Sequence, residues 1–291
     1  MPETTYLLLG HKGFIGGLVY DYLLSLSNIV VVCSDTRLDN VSEMEDLLEE
    51  LKPDRVLCCV GRTHGKDCAT IDYLEDKLTI NMRDNLFSPI SLAQLCCKYN
   101  IHMTYIGTGC IFEYENFENL EPEFTEESLP NFFGSSYSVV KGYTDRIFHQ
   151  YPFNSHVLNL RIRMPIVGFD NPRNFITKIV GYEKVINIPN AMTVLDDMIP
   201  HMISMADRKI TGTINCVNPG VISHVEILKM YKDIVNKDFT WQTFSVEEQD
   251  QILKSKRSNN ALCTNEIQKL CPGILPIKSA VRVALGRMSS K

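Results

Sequence analysis

"TYLLLGHKGFIGG" (residues 5–17) is an apolar run that breaks into glycines at positions 10, 13 and 16. It reads as a buried β-strand that turns sharply into a helix, with the glycines spaced G-x-x-G-x-x-G. Such a turn lets a pyrophosphate reach the bare N–H groups at a helix N-terminus, where the helix dipole also favours negative charge; side chains would block that approach. Glycine turns between strands and helices are common, and the pattern alone is weak. Its place at the first β-α junction, right after an apolar strand, points to a dinucleotide.

The stretches that follow repeat the same alternation. "IVVVC" precedes "VSEMEDLLEELK", "RVLCCVG" precedes "NLFSPISLAQLCCKYN", and "HMTYIGTG" precedes "YSVVKGYTDRIFHQY" and "HVLNLRIRMP". Apolar strands without polar alternation are buried on both faces, as in parallel sheets. The expected fold is therefore α/β, a Rossmann-type doubly wound parallel sheet with a smaller C-terminal substrate lobe. Residues 1–165 are expected to form the cofactor-binding domain, with one returning strand near 211–220. Residues 166–291 are expected to supply mainly the substrate lobe. No internal repeat or low-complexity segment interrupts this plan.

Composition narrows the class. The 291 residues are 44% apolar and 22% charged, ordinary values for a globular chain able to bury a large core. The longest apolar runs are too short to span a bilayer, and no signal-like segment precedes them, so a cytoplasmic location is expected. Ten cysteines without a C-x-x-C spacing read as reduced thiols rather than a disulfide framework or a zinc site. A net charge of −6 argues against nucleic acid as a partner. The basic stretch "LKSKRSNN" (253–260) reads either as a solvated loop or as a holder of phosphates.

Two features bear on chemistry. The second strand ends in "CSDTR", where Asp35 stands 19 residues past Gly16, near the place of an acid that holds the ribose of NAD. Arg37 and Lys12 could instead grip a 2′-phosphate, so NADP(H) is expected, with NAD as the alternative that Asp35 allows. Further on, "YSVVK" sets Tyr137 and Lys141 on one helical face, where a lysine ammonium would lower the pKa of the phenol and prepare it to exchange a proton with a carbonyl oxygen. Thr108, 29 residues upstream of Tyr137 at a strand end, can donate a second hydrogen bond to that oxygen.

The glycine turn, the threonine and the Tyr-Lys pair, in this order, resemble the short-chain dehydrogenase/reductase superfamily in its extended form, which acts on nucleotide sugars. "GFIGG", "TGCIFEY", "RMPI", "NPRNFITKI", "YEKV", "IPNAMTVLDD", "VNPGVISHVEIL" and "RSNN" are closer still to the bifunctional nucleotide-rhamnose synthases of plants. The resemblance covers nearly the whole chain. It implies 3,5-epimerisation and NADPH-dependent 4-keto reduction of UDP-4-keto-6-deoxy-D-glucose to UDP-L-rhamnose. The plant pattern carries no acid at the position of Asp35.

In reductases that act only at C4, the residue two past the threonine is a tyrosine; here it is Cys110. Strand alternation would turn Thr108 and Cys110 to the same side. The resemblance assigns Cys110 and Lys178 to epimerisation, and a thiol can change protonation state near neutral pH. By the same resemblance Thr108, Tyr137 and Lys141 serve reduction. Gly10, Lys12, Gly13, Phe14, Ile15, Gly16, Arg37, Val60, Gly61 and Met164 join Tyr137 and Lys141 in holding the cofactor. Arg62, Thr63, Asn81, Arg173, Asn174, Arg257 and Asn259 are expected around the sugar nucleotide, with Asn81 helping a water relay behind Lys141. No metal is implied. A homodimer is expected through helices near 83–99 and 137–150. Two other readings stay open: a 4-reductase alone, and a non-catalytic NADP-binding subunit like the regulatory subunit of methionine adenosyltransferase. The choice between uridine and thymidine also stays open.

Overall fold

Tyr6, Leu7, Leu8 and Leu9 are at most 1% exposed because the strand that carries them lies at the middle of the molecule, between two apolar layers. Tyr6 and Leu8 pack into one layer and Leu7 and Leu9 into the other, as the twofold period of a strand requires. The structure is a computed structural model that describes residues 3–66 and 68–289. Its main sheet has six strands, β1 (Thr4–Leu9), β2 (Ile29–Ser34), β3 (Arg55–Cys58), β4 (His102–Thr108), β5 (Val157–Ile162) and β6 (Gly212–Asn215). All pair in parallel in the order β2-β1-β3-β4-β5-β6. The doubly wound α/β fold expected from the alternation is thus present. The winding reverses between β1 and β3, and open α/β sheets bind ligands in the crevice at the carboxyl ends of such a switch point.

Helices α1 (Phe14–Leu24) and α2 (Val41–Leu51) follow β1 and β2. The helix before β4 starts earlier than its apolar pattern suggests: α3 (Leu78–Met82) passes through a π-helical turn (Arg83–Phe87) into α4 (Ser88–Lys98). Proline at the start of α4 cannot donate a backbone hydrogen bond, and the widened turn, in which the Ser88 N–H donates to Arg83 O, carries the helix past it. That turn aims Asp84 and Asn85 into the protein. Helix α5 (Ser136–Phe148) follows β4 after a long excursion.

Beyond Pro165, α6 (Phe175–Val180) and α8 (His224–Ile234) share a third apolar cluster around Ile166, Ile176, Met192 and Leu228. The chain returns to the main sheet by more than the single strand expected. Helix α7 (Leu195–Asp207) also packs its Leu195, Met198, Met202 and Met205 into the layer under β1. Arg55 on β3 ties its end by donating to Ala206 O (2.8 Å) and Asp207 O (2.9 Å). Among the described residues no helix is long and apolar enough to cross a membrane.

Candidate active site

At the end of β1, Gly10 has φ +85°, and a Cβ there would stand 2.9 Å from the carbonyl carbon of Cys59 on the neighbouring strand end. A Cβ on Gly16 would stand 2.1 Å from Gly10 O. The turn therefore closes only with glycine at both places. Gly13 caps α1 without a side-chain hydrogen bond, and no acid stands in the helix's first turn. This is the cradle a pyrophosphate fits.

Beside it lies a cleft lined by Gly10, Ser34, Arg37, Gly61, Arg62 and Asp84. Its cations are not free. Lys12 is bonded to Asp35, which holds that carboxyl below its usual range, and Arg37 donates to Asp39 at 2.8 and 3.1 Å. Arg62, expected near the sugar nucleotide, also lines this cleft. Its guanidinium is bonded to Asp84, and its backbone is gripped on both sides by Asn85 (Arg62 N to Asn85 Oδ1 2.8 Å, Asn85 Nδ2 to Arg62 O 2.8 Å). The π-turn thus fixes the loop that follows β3.

Across the switch point, Thr108 ends β4 and is buried, as are Tyr137 and Lys141 on α5. The Thr108 hydroxyl stands close enough to Tyr137 to lower the phenol's pKa in part, against the larger effect of burial. The alternation expected to carry on to Cys110 stops short, because β4 ends at Thr108 and the chain then bends. Thr108 Oγ1 accepts from the Cys110 N–H (3.0 Å), and this turn keeps the thiol within electrostatic reach of both Tyr137 and Lys141. Cys110 is partly exposed, whereas Cys58, Cys96 and Cys216 are buried, with burial pushing the Cys58 thiol up to about 11.

The Tyr-Lys pairing differs from the sequence expectation. Lys141 Nζ donates to the hydroxyl of Tyr105 and stands 4.4 Å from the centre of its ring, instead of meeting Tyr137. Burial dominates both groups: it raises the Tyr137 phenol above its ordinary value and lowers Lys141 to about 8. One helical face brings the two residues near each other, yet removal of water outweighs their mutual influence.

A second group of cations gathers at Lys178 on α6. Burial, and then Arg173 beside it, lower the Lys178 pKa. Arg173, Arg62 and Lys178 together act on His64, which burial has already depressed, and Thr63 Oγ1 lies 3.2 Å from the Nδ1 of that histidine. Three of the residues expected around the sugar nucleotide make hydrogen bonds within the protein. Asn174 is fully buried and caps α6, accepting from Val167 N (3.2 Å) and Ile176 N (3.3 Å) and donating to Val167 O (3.0 Å) and Phe169 O (2.9 Å). Asn259, 1% exposed, accepts from Asn190 Nδ2 at 2.9 Å. Asn81, also buried, donates to Ser136 Oγ (2.9 Å) and accepts from Asn85 (2.8 Å).

Arg257 grips both oxygens of Asp72 (3.1 and 2.7 Å), and Lys254 is bonded to Asp76, so the basic loop is clasped to residues 70–76. Met164 has φ +40°, rare for a side chain of its size, directly after the fully buried Arg163.

Arg163, Tyr105 and Asp84 went unread in the sequence. Arg163 has no carboxylate partner among the described residues; it donates to Gly109 O (3.0 Å), Ala191 O (3.2 Å), Asn190 Oδ1 (2.7 Å), Ser258 Oγ (2.8 Å) and Ser258 O (3.0 Å). It thereby fixes the residue between Thr108 and Cys110. The available signal was a cation inside the apolar run "LRIRMPI".

Comparison with known proteins identifies the family. The model of the NAD dependent epimerase/dehydratase family matches residues 6–181. Protein L780 of Acanthamoeba polyphaga mimivirus is 51% identical over 286 residues, 97% of this chain and 98% of that protein. The crystal structure of that L780 UDP-rhamnose synthase superposes with a TM-score of 0.94, covering 98% of this chain and 100% of the other. A bifunctional dTDP-4-dehydrorhamnose 3,5-epimerase/dTDP-4-dehydrorhamnose reductase of Arabidopsis thaliana is 38% identical over 279 residues, 95% of this chain and 90% of that protein. A trifunctional UDP-glucose 4,6-dehydratase/UDP-4-keto-6-deoxy-D-glucose 3,5-epimerase/UDP-4-keto-L-rhamnose-reductase of the same plant is 39% identical over 292 residues, 98% of this chain but 42% of that protein.

Proposed function

Since the chain belongs to the NAD dependent epimerase/dehydratase family, within its extended short-chain branch of nucleotide-rhamnose synthases, we propose that it acts on UDP-4-keto-6-deoxy-D-glucose. It epimerises that sugar at C3 and C5 and then reduces the C4 ketone with NADPH, giving UDP-L-rhamnose. The single observation that carries this reading is the Thr108–Tyr137 hydroxyl pair with the partly exposed Cys110 thiol folded back beside it.

The two hydroxyls hold the C4 oxygen. A ketone so held makes the hydrogens on C3 and C5 acidic, because negative charge that spreads onto the oxygen meets hydrogen-bond donors already in place. Cys110 removes and returns protons at the ring carbons. Lys178, made easier to deprotonate by burial and by Arg173, is the second group assigned to this exchange. Tyr137 then gives a proton to the C4 oxygen, and Lys141, one turn away on α5, supplies positive charge. The chemistry that a reduced dinucleotide would supply here, when bound, is transfer of a hydride to C4. Gly10 and Gly16 let the turn close against its own backbone and, with Gly13 at the cap of α1, leave that helix N-terminus to receive the dinucleotide's pyrophosphate, while Lys12, Phe14, Ile15, Arg37, Val60, Gly61 and Met164 complete its surroundings. Arg62 joins Arg37 as a candidate for a 2′-phosphate, which favours NADP over NAD. Arg173 and Arg257 are the cations left for the diphosphate. We assign residues 1–165, with α7 and β6, to cofactor binding and most of the remainder to the sugar nucleotide. We place the reaction in the cytoplasm and the enzyme in a homodimer.

The test is the stereochemistry of the product, read by NMR after incubation with UDP-4-keto-6-deoxy-D-glucose and NADPH; an L-rhamnose configuration is expected. Cys110→Ser should keep reduction of an already epimerised 4-keto sugar and lose at least about 100-fold in turnover from the unepimerised one. Unchanged turnover in that variant would leave a reductase alone. A flat NADPH absorbance in the wild type, with dinucleotide still bound, would favour a binding role.

A further inference from the structure

Lys141 is 4% exposed and has no ion pair among the described residues. The acid on its own helix, Asp145, is engaged elsewhere: Arg161 donates to both its oxygens (2.9 and 2.7 Å) and Asn159 Nδ2 to one (2.8 Å). A buried ammonium without a counter-ion is costly unless hydrogen bonds or a π-face compensate it. Both come here from one side chain. Tyr105 on β4 gives Lys141 Nζ its hydroxyl oxygen and, at 4.4 Å, its ring face. Tyr105 is itself held still, 1% exposed, with its ring edge-on to Phe148 at 5.1 Å and 72°.

We propose that Tyr105 is the positioning residue of Lys141: it holds the amine in place and keeps it charged, ready to donate to the cofactor. This rests on the functional reading above, in which Lys141 helps hold the dinucleotide. Tyr105 touches neither substrate nor cofactor and acts through the lysine. The groups that face this amine are Cys58 from β3, Tyr105 from β4, Cys110 from the turn beyond it, and Asp145 from α5. None of them replaces Tyr105 as a hydrogen-bonding partner. Burial leaves the lysine titrating at about 8, so a lost acceptor has its effect within the working pH range. A neutral acceptor supports the charged amine more than the uncharged one. Its removal therefore shifts deprotonation to lower pH.

Tyr105→Phe keeps the ring and its packing and removes only the oxygen. NADPH binding, measured by fluorescence without any sugar between pH 6 and 9, separates this from catalysis. The expected result is a dissociation constant about 2- to 5-fold higher at pH 8, a shift of roughly half to one unit in the alkaline limb, and little change at pH 6. In a Lys141→Met background the same substitution should have no effect on binding. Three results would overturn the inference: an unmoved pH profile, tighter binding at every pH, or an equal loss in the Lys141→Met background. If thermal unfolding shows that Tyr105→Phe is poorly folded, Lys141→Arg decides: its guanidinium stays charged without the oxygen, so the alkaline limb should disappear with Tyr105 intact, and a retained limb rejects the proposal. A wild type that binds no NADPH would overturn the functional reading, and the role of Tyr105 with it. Normal wild-type binding with an indifferent Tyr105→Phe removes Tyr105 alone.

Discussion

His224 opens α8 with its ring edge against Phe175 (5.0 Å between centres), and its buried Nε2 has no hydrogen-bond partner. Burial, followed by the charge of Arg163, lowers it to about 4. The unfolded chain takes up this proton near pH 6.5, whereas the folded protein resists until about 4, so stability is complete above about pH 6.5 and falls as the pH drops toward 4. The ceiling is about 3 kcal/mol. His224→Leu should therefore flatten the fall of the unfolding temperature between pH 6.5 and 4.5, measured by scanning calorimetry. At this scale the sequence was partly legible. Spacing was enough to pick out Thr108, Tyr137 and Lys141, since a strand end and one helical turn fix their neighbourhood. It could not show that Lys141 turns to Tyr105, 36 positions away, because that choice depends on which buried group lacks a partner. Nor could it show that Asn174 and Asn259, expected beside the sugar nucleotide, tie loops together from inside, because an amide's partners lie in other segments of the chain.

Gly16 belongs to an element, the turn between β1 and α1, and its neighbour Gly17 supplies the control. A methyl group at 16 would meet the Gly10 carbonyl at 2.1 Å, backbone that cannot step aside; at 17 the nearest atom is 3.5 Å away. Gly16→Ala should cost about 1–3 kcal/mol in denaturant unfolding and abolish NADPH binding. Gly17→Ala should leave both within error or add slight stability through helix propensity. The glycine turn and the apolar parallel strands were readable because local backbone needs and burial on two faces leave marks in composition. The π-turn at Arg83–Phe87 left none. It depends on a proline one turn later and on Asn85 reaching the loop beyond β3, which are relations between segments.

Across the whole molecule, Leu78 (55% exposed) and Met82 (44%) on α3, Phe87 (50%) in the π-turn and Tyr143 (62%) on α5 remain open to solvent. These lie in or near the two helical stretches expected to meet a second copy, and apolar side chains there fit such a contact. Sedimentation should give a dimer for the wild type, and the double substitution Phe87→Glu, Tyr143→Glu should shift it to monomer while leaving the unfolding temperature of the subunit nearly unchanged at high dilution. The sheet and its site edge were legible at this scale; the return of α7 was not, since a helix shows an apolar stripe without saying which layer it covers. The clasp between Arg257 and Asp72 has one more consequence. A guanidinium whose fork is filled by one carboxylate cannot also embrace a diphosphate, so if Arg257 holds the diphosphate as proposed above, the arriving nucleotide would displace Asp72 and loosen residues 70–76 in the same act.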